Sequence, residues 1–271
     1  MVLNKQKLEA VLSVEGKNTE LPFNLHIFET VTSTNKTAWE LLAQKPGLGC
    51  VVIAAQQTAG RGQWGRQWLS SEGGLYLSFG FAPQLDINLG YQLTLATAWG
   101  IAEQLRKYGV DVEIKWPNDL VLDGRKLGGI LTETKVCAGK ITQAVIGVGV
   151  NWTNPVPPTG INLHSWNSQG NSVNIPCLEK LAARVLLGIH SGIQCLEGEG
   201  VNILLSRYIK LLSNMGDIIY VNDELSGTVV GVTEAGNLHI RRSSGGNITE
   251  TPASIYLEPG TISLGYRKSS V

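Results

Sequence analysis

The chain has 271 residues, of which 22 are basic, 22 are acidic and 43% are apolar. This length suits one large domain, or a large domain followed by a small one, with a sizeable core. A formal charge of zero argues against a general nucleic-acid-binding protein, because such proteins are usually basic. No apolar run reaches membrane-spanning length and no signal peptide is evident, so we expect a cytoplasmic protein without membrane attachment. The four cysteines lack metal spacing and are interpreted as reduced thiols.

The N-terminal segment is short and mixed, and it ends in a predicted strand over residues 24–28. A Thr-Ser-Thr-Asn run at 32–35 then precedes a predicted helix, and Thr37 with Glu40 fits a capping box. Helix capping is the ordinary role of such a run. Hydroxyls and free backbone amides at a helix start can also surround a polar ligand.

A glycine-rich loop over residues 55–68 separates a buried strand, 49–55, from an alternating strand, 75–81. Its glycines allow the backbone to approach a ligand closely. Arg61 and Arg66 carry guanidinium groups suited to phosphate or carboxylate. No Gly-Lys-Ser/Thr follows, so the loop is not a P-loop. The alternative is a surface loop with solvated arginines.

A second informative stretch follows a predicted strand over residues 112–116, which Pro117 interrupts. The Asp123-Gly124 pair between two apolar runs predicts a β-hairpin. We expect this hairpin to place Lys126 near the turn, on the same face as Gly128, with room for a ligand beside the ammonium.

Two oxygen-bearing side chains, Asn118 and Asp119, come where this strand ends. Such a position is typical of residues that hold a metal or orient a nucleophile. The alternative is a solvated hairpin, in which Asp119 is a turn residue and Lys126 protects a sheet edge.

The predicted strand 141–150 carries Gly147 and Gly149 on one face. Glycine weakens a strand, so its repeated use suggests that another group packs there. Residues 153–174 are rich in Pro, Gly, Asn and Ser and form a long loop, which is a candidate lid.

Helices are predicted over 88–108, 176–196 and 201–212, and the composition changes after them. Short strands and turn residues then predict a small β-barrel. Its strands are expected over residues 218–221, 225–232, 237–242 and 248–251. We therefore divide the chain into a large domain, 1–214, and a small one, 215–271.

Four elements, in this order and spacing, resemble those of biotin protein ligases. They are Ser33-Thr34-Asn35, residues 57–62, residues 115–119 with 125–131, and residues 147–151. The resemblance implies an α+β fold with a mixed β-sheet and helices on one side, like the class II aminoacyl-tRNA synthetases, followed by a small SH3-like β-barrel.

The resemblance also implies roles for individual residues. The implied biotin site comprises Ser33, Thr34, Asn35, Gln57, Gly60, Arg61, Gly62, Gln63, Trp68, Ser78, Lys126 and Gly129. The implied ATP site comprises Arg61, Arg66, Trp68, Asn118, Lys126 and Asn151, with Asn118 also holding Mg²⁺. The implied catalytic residues are Lys126, Arg61 and Asp119.

The implied activity is the ATP- and Mg²⁺-dependent activation of biotin as biotinoyl-AMP, with transfer to a lysine of a biotin carboxyl carrier domain of acetyl-CoA carboxylase. The protein would be a monomer or a homodimer. A lipoate or octanoate ligase or transferase shares the fold, and a non-catalytic binding module is a third possibility. About 30 residues precede Ser33, without a helix-turn-helix pattern, so a DNA-binding repressor is not expected.

One position departs from the family pattern. Family members often carry arginine where this chain has Gln63. Glutamine keeps hydrogen bonding but removes a positive charge beside the phosphate. We therefore expect weaker retention of the adenylate than in a ligase with arginine there.

Overall fold

The computed structural model describes residues 3–16, 23–45, 47–170, 174–221, 224–242, 254–262 and 264–266. The helices are α1 (Lys5–Glu15), α2 (Thr34–Gln44), α3 (Gly90–Arg106), α4 (Leu163–Asn167), α5 (Leu178–Gln194) and α6 (Val201–Lys210). The first eight strands are β1 (Phe23–Val31), β2 (Gly49–Gln57), β3 (Leu75–Phe81), β4 (Leu85–Asp86), β5 (Glu113–Lys115), β6 (Asp119–Leu122), β7 (Arg125–Cys137) and β8 (Lys140–Val150). The last four are β9 (Ile218–Val221), β10 (Glu224–Val232), β11 (Leu238–Arg241) and β12 (Ser254–Leu257).

The large sheet is mixed, in the order β1-β2-β3-β8-β7-β6-β5, with β4 alongside β8. Strands β1 and β2 are parallel, and α2 connects them. The other pairs are antiparallel, joined where the sequence allows tight turns. Asp123 and Gly124 have φ values of 48° and 70°, as a type I′ hairpin requires, so the predicted β6–β7 hairpin is confirmed.

Side-chain alternation along β2 separates two apolar layers. Val51 and Ile53 face the main core, which includes buried residues of α1, α3, α5 and α6. Cys50 and Val52 face the other way and pack against α2. The predicted mixed α+β sheet is confirmed. Most helices cover one face as expected, whereas α2 lies on the opposite face, which is also the face of the functional cavity described below.

The predicted placement of Lys126 beside Gly128 is wrong. The β6–β7 register pairs Leu120 with Gly128 but Val121 with Lys126, which leaves Leu127 as an extra residue. Such a bulge interrupts alternation. A side chain on Gly128 would meet Leu120 in the core, whereas one on Gly129 would lie 3.4 Å from Lys126 Cε. Lys126 therefore shares its face with Gly129.

The predicted capping box at Thr37 and Glu40 is also wrong. Helix α2 begins at Thr34, and the Thr37 amide already donates to the Ser33 carbonyl within the first turn. The free Thr34 amide donates instead to Gln57 Oε1, at 2.8 Å. A tertiary contact thus replaces the local cap. Helix α1, which no pattern predicted, is the other difference near the N-terminus.

The segment predicted as a loop lid contains structure of its own. Helix α4 lies within it, and Leu163 and Trp166 are buried. The Lys126 amide donates to the Thr159 carbonyl, and the Ile161 amide donates back to the Lys126 carbonyl. The segment therefore braces the strand that carries Lys126.

The four C-terminal strands form an antiparallel sheet in the order β12-β11-β10-β9. Within the described residues this sheet is open, so the expected barrel is not closed there. The predicted strand at 248–251 lies outside the described residues, and the boundary at 214/215 stays a prediction. Trp116 Nε1 donates to the Gly236 carbonyl at 2.9 Å, which joins the small sheet to the large one.

Within the described part of the chain, no helix has both the length and the apolar character needed to cross a bilayer.

Candidate active site

Most of the predicted site residues line a single cavity of about 150 Å³ on the α2 face of the sheet. Its walls are the N-terminus of α2, the loop between β2 and β3, the β6–β7 hairpin and a C-terminal segment that contributes Gly260, Ile262 and Leu264. The predicted residues that line it are Ser33, Thr34, Asn35, Gln57, Arg61, Gly62, Gln63, Arg66, Trp68, Asn118, Asp119, Lys126 and Gly129. The other three predicted site residues, Gly60, Ser78 and Asn151, do not line the cavity.

A polar corner forms where α2 begins. Gln57 Oε1 accepts from the Thr34 amide and from the Thr34 hydroxyl, at 2.8 and 3.1 Å. The amide nitrogen of Gln57 donates to Ser70 Oγ at 2.8 Å. Asn35 Nδ2 donates to Glu133 Oε2, also at 2.8 Å. These bonds hold the Gln57 and Asn35 amides in defined orientations.

Ser78 supports this corner from below. Its side chain is fully buried, and Oγ lies 2.8 Å from Thr34 Oγ1 and 2.6 Å from Asn35 Oδ1. Gly147 provides the space that Asn35 occupies, since a Cβ on that glycine would lie 2.2 Å from Asn35 Oδ1. Ser78 therefore orients residues of the cavity wall.

The loop between β2 and β3 folds back on itself. Trp68 donates its amide to the Gly60 carbonyl at 3.0 Å, and Gly62 donates to the Arg66 carbonyl at 2.7 Å. A Cβ on Gly60 would lie only 2.5 Å from the Trp68 carbonyl oxygen, so the turn needs glycine there. The folded loop places the Arg61 and Gly62 backbone on the cavity.

The floor of the cavity consists of glycines covered by an indole ring. A Cβ on Gly149 would lie 2.5 Å from Trp68 Cε2, and one on Gly129 would lie 3.1 Å from Trp68 Cζ3. The predicted thinning of the sheet is thus present at Gly147, Gly149 and Gly129. Trp68 Nε1 is buried and has no hydrogen-bond acceptor among the described residues, so it can donate to a ligand.

A compact charge cluster occupies the hairpin end of the cavity. Lys126 Nζ lies 2.6 Å from Asp119 Oδ1, and Lys115 Nζ lies 3.8 Å from Asp119 Oδ2. Burial, more than any neighbouring charge, lowers the pKa of Lys115 to about 8. This value includes the charge on Asp119, which raises the pKa, and the smaller effects of Lys126 and Arg66, which lower it. Among the described lining residues, Asp119 has the sole carboxylate, so the cluster carries excess positive charge.

The two loop arginines have different surroundings. The Arg61 guanidinium makes a two-pronged contact with the Glu133 carboxylate, at 2.8 and 2.9 Å. The same carboxylate holds Asn35, so Glu133 links the loop to the polar corner. Arg66 lies near enough to Lys115 for its charge to affect that pKa.

The two asparagines assigned to the ATP site, Asn118 and Asn151, use their amide nitrogens in hydrogen bonds to backbone carbonyls. Asn118 Nδ2 donates to the Ile130 carbonyl at 2.7 Å. Asn151 Nδ2 donates to the carbonyls of Lys126 and Ile161, and Asn151 Oδ1 accepts from Asn154. The Asn151 side chain thus supports the backbone at Lys126.

No cluster of three or more metal-binding side chains occurs among the described residues. The Asp119 carboxylate near Asn118 is already paired with lysine. Mg²⁺ is commonly bound by one or two side-chain oxygens together with substrate phosphates. The residues present therefore fit a magnesium ion that arrives with a nucleotide.

Residues 27–151 match the profile of the Biotin/lipoate A/B protein ligase family. The bifunctional ligase/repressor BirA of Salmonella typhimurium strain LT2 is 33% identical over 222 residues, covering 79% of this chain and 68% of that protein. The chain belongs to the biotin/lipoate protein ligase family.

The match to another relative is shorter. The bifunctional ligase/repressor BirA of Bacillus subtilis strain 168 is 38% identical over 139 residues. That stretch covers 50% of this chain and 43% of the Bacillus protein, so the match spans less than half of that relative.

A solved structure extends the similarity over most of the chain. The biotin protein ligase from Aquifex aeolicus in complex with biotin and ATP aligns with a TM-score of 0.69 at 26% identity, over 90% of this chain and 99% of that one. The α+β architecture expected from the resemblance is that of this ligase fold.

Sequence reasoning about this family member missed several residues that line the cavity or support its wall. Lys115 belongs to a predicted strand and to the motif at residues 115–119 but was given no role in the site, yet it is buried beside Asp119. Glu133 lies in the middle of β7, where no local pattern distinguishes it. The C-terminal residues Gly260, Ile262 and Leu264 also line the cavity. A charged side chain buried in a strand marks Lys115 as a candidate site residue. The other residues are brought to the cavity by tertiary packing alone.

Proposed function

We propose that this chain is an ATP-dependent ligase that activates biotin as biotinoyl-AMP and transfers it to a lysine of a biotin carboxyl carrier domain, such as that of acetyl-CoA carboxylase. The observation that carries this proposal is that the Lys126 ammonium, the Arg61-Gly62 loop and the polar corner at Asn35 line one cavity. Positive charge beside oriented amides suits a ligand with a carboxylate at one end and a ureido ring at the other.

The polar corner is assigned to the ureido ring. This ring offers two N–H donors and one carbonyl acceptor, and it needs partners of both kinds because unpaired polar groups are costly when buried. Thr34, Asn35 and Gln57 supply hydroxyl and amide groups, and Ser33 makes no cap hydrogen bond with its side chain. The α2 N-terminus adds a partial positive charge near the ring carbonyl.

The hairpin end is assigned to adenylate formation. An oxygen of the biotin carboxylate attacks the α-phosphorus of ATP, and pyrophosphate leaves with the electrons of the broken P–O bond. Both reactants are anions and repel each other. Lys126, Lys115 and Arg66 place positive charge around the cavity, which stabilises the developing negative charge of this transition state. Magnesium, when bound with ATP, neutralises additional phosphate charge.

Asp119 is assigned to the transfer step. The lysine amine of the carrier domain attacks the acyl carbon, a C–N bond forms, and AMP leaves with the electrons of the broken C–O bond. The attacking nitrogen gives its proton to Asp119, whose side chain is 13% exposed and reachable from the cavity. Lys126 leaves Asp119 when it turns toward the acyl phosphate, which frees Oδ1 for that proton.

Lipoate or octanoate transfer is the second candidate, because the matching family includes lipoate ligases. A dithiolane ring or an alkyl chain cannot use the remaining hydrogen-bonding capacity of the Asn35 and Gln57 amides, so these polar groups would contribute no hydrogen bonds to its binding. The polar corner therefore favours biotin.

The proposal is tested by incubating the purified protein with ATP, Mg²⁺ and either biotin, lipoate or octanoate, and measuring pyrophosphate release. Transfer is then measured to a purified biotin carboxyl carrier domain. We expect pyrophosphate release and transfer with biotin, and both should be strongly slowed in the Lys126→Ala variant. Activity with lipoate or octanoate but not biotin would favour the second candidate, and binding without pyrophosphate release would indicate a non-catalytic module.

A further inference from the structure

The C-terminal segment, residues 260–262 and 264–266, touches two walls of the cavity. At one end, Gly260 lies against the loop tryptophan Trp64, such that a Cβ on Gly260 would be 2.6 Å from Trp64 Cε2. Ile262 and Leu264 line the cavity itself. At the other end, Tyr266 contacts the β6–β7 hairpin. A segment far away in sequence thus completes the site.

Tyr266 lies between two opposite charges. Its hydroxyl donates to Asp119 Oδ2 at 2.5 Å, and its ring centroid is 3.7 Å from Lys115 Nζ. Burial, followed by the charge on Asp119, raises the pKa of the Tyr266 phenol above its usual value. The phenol is therefore a hydrogen-bond donor at neutral pH.

These contacts divide the two oxygens of Asp119 between different partners. Oδ1 binds Lys126 at 2.6 Å, whereas Oδ2 binds Tyr266. The terminal torsion of an aspartate is broad and fixes its carboxylate plane only weakly. Once Lys126 turns toward the acyl phosphate, the Tyr266 hydroxyl is the shortest remaining contact of this carboxylate among the described residues.

We propose that Tyr266 is a positioning residue for the transfer step, which holds Asp119 Oδ2 so that Oδ1 faces the incoming lysine amine. This inference rests on the proposed function. The amine proton moves to Asp119 Oδ1 while Tyr266 keeps its own proton, as the C–N bond forms and the C–O bond to AMP breaks. The tyrosine ring also keeps the Lys115 ammonium beside Asp119 through a cation–π contact.

The test separates the two half-reactions in the full chain. Tyr266→Phe removes the hydroxyl but keeps the ring over Lys115. We expect adenylate formation, measured by pyrophosphate exchange, to stay within about two-fold of the unmodified protein, because the ring contact is retained. Single-turnover transfer from preformed adenylate at saturating carrier domain should fall about ten-fold, a fraction of the full effect of a proton acceptor. The KM for the carrier domain should not change.

Two further variants complete the test. Tyr256→Phe is the matched control, because this tyrosine is exposed on β12 and touches His239 rather than the cavity. It should leave both half-reactions unchanged. Tyr266→Leu removes the ring as well, and it should slow adenylate formation several-fold in addition to transfer.

Unchanged transfer in Tyr266→Phe, or an equal loss in both half-reactions, would overturn the positioning role while leaving the proposed function intact. Failure of the unmodified protein to form an adenylate from biotin and ATP would instead refute the proposed function, and this inference with it. Thermal unfolding of each variant shows whether the fold is preserved.

Discussion

Lys126 and Asp119 form an ion pair, with Nζ and Oδ1 2.6 Å apart, although each is assigned to a different half-reaction. The pair satisfies both charges while the cavity lacks anionic reactants. Bound carboxylate and phosphate compete for the ammonium, and the aspartate is then available as a proton acceptor. Under the proposed function, this arrangement would couple activation of biotin to readiness for transfer.

This pairing predicts that substitutions of Lys126 and Asp119 slow different steps of the reaction. Lys126→Ala should slow adenylate formation about 10³-fold, because a fixed charge at the transition state is lost. Asp119→Asn should slow transfer about 10²-fold, because the proton acceptor is lost, while adenylate formation stays within several-fold. Pyrophosphate exchange and single-turnover transfer measure the two steps. Lys135→Ala, on the same strand but over the Trp39 ring, is the control and should affect neither.

The lowered pKa of Lys115 predicts how ATP binding depends on pH. The ammonium is charged below about pH 8 and neutral above it, so its attraction for phosphate is lost as the pH rises through that value. We expect ATP affinity, measured by calorimetry with a nonhydrolysable analogue, to weaken several-fold between about pH 7 and pH 9. Lys115→Arg keeps its charge over this range and should flatten the dependence. An identical slope in both proteins would exclude Lys115 as the cause.

The same pKa predicts the pH dependence of stability. A lysine whose pKa is about 8 in the folded protein and 10.5 in the unfolded chain binds fewer protons when folded within that window. The contribution of this group to the free energy of unfolding therefore rises with pH between these two values. Below them, the cost of burying the charged lysine destabilises the folded protein in full. Urea unfolding of Lys115→Met should lack this contribution, whereas a rise equal to that of the unmodified protein would contradict it.

The contribution of the polar corner to biotin binding can be tested at Glu133, which accepts a hydrogen bond from Asn35. Glu133→Ala removes the acceptor that holds Asn35 Nδ2, and we expect about ten-fold weaker biotin binding by calorimetry, equivalent to one lost hydrogen bond. Glu133→Gln keeps an oxygen that accepts from Asn35 but loses the ion pair with Arg61. Its biotin affinity should stay within about two-fold, because half-exposed ion pairs contribute little. Equal loss in both variants would show that the Arg61 pair matters more than the Asn35 bond.

The neutral side chain at Gln63 predicts that a positively charged replacement will slow dissociation of the adenylate. The side chain lines the cavity near Trp64, and an arginine there would add a charge-assisted hydrogen bond to phosphate. Gln63→Arg should lower the dissociation rate of biotinoyl-AMP about ten-fold in a chase experiment, since one such bond is worth roughly 1.5–3 kcal/mol. Gln44→Arg adds the same charge at the exposed end of α2 and should not change that rate. Equal rates for Gln63→Arg and the unmodified protein would reject the idea.

Trp68 predicts a rearrangement when the cavity fills. The cavity measures about 150 Å³, whereas sites for cofactor-sized ligands span roughly 300–1,000 Å³. The Trp68 ring covers the glycine floor at Gly129 and Gly149, so we expect it to shift when biotin and ATP bind. We expect a change in tryptophan fluorescence on adding both ligands, largely absent in Trp68→Phe. The same change in both proteins would place the movement elsewhere.

Local rules were sufficient for much of the fold. The Asp123-Gly124 turn, the glycine spacing at Gly147 and Gly149, and the strands formed by short apolar runs could be predicted because they depend on neighbours a few residues away. They failed at Leu127, where one extra residue reverses which of Gly128 and Gly129 faces the cavity. They also failed at Thr37, because Gln57 supplies the helix with a partner from another strand.

The sequence by itself determined the family, because ordered motifs are properties of short segments, and the resemblance to that family implied the mixed sheet and most residues of the cavity wall. Only the tertiary structure decided that Lys126 is paired with Asp119, that Glu133 holds both Arg61 and Asn35, and that Tyr266 reaches Asp119 across 147 positions. Those contacts depend on how packing removes distant charges from water and brings them together, and no local pattern of residues encodes that.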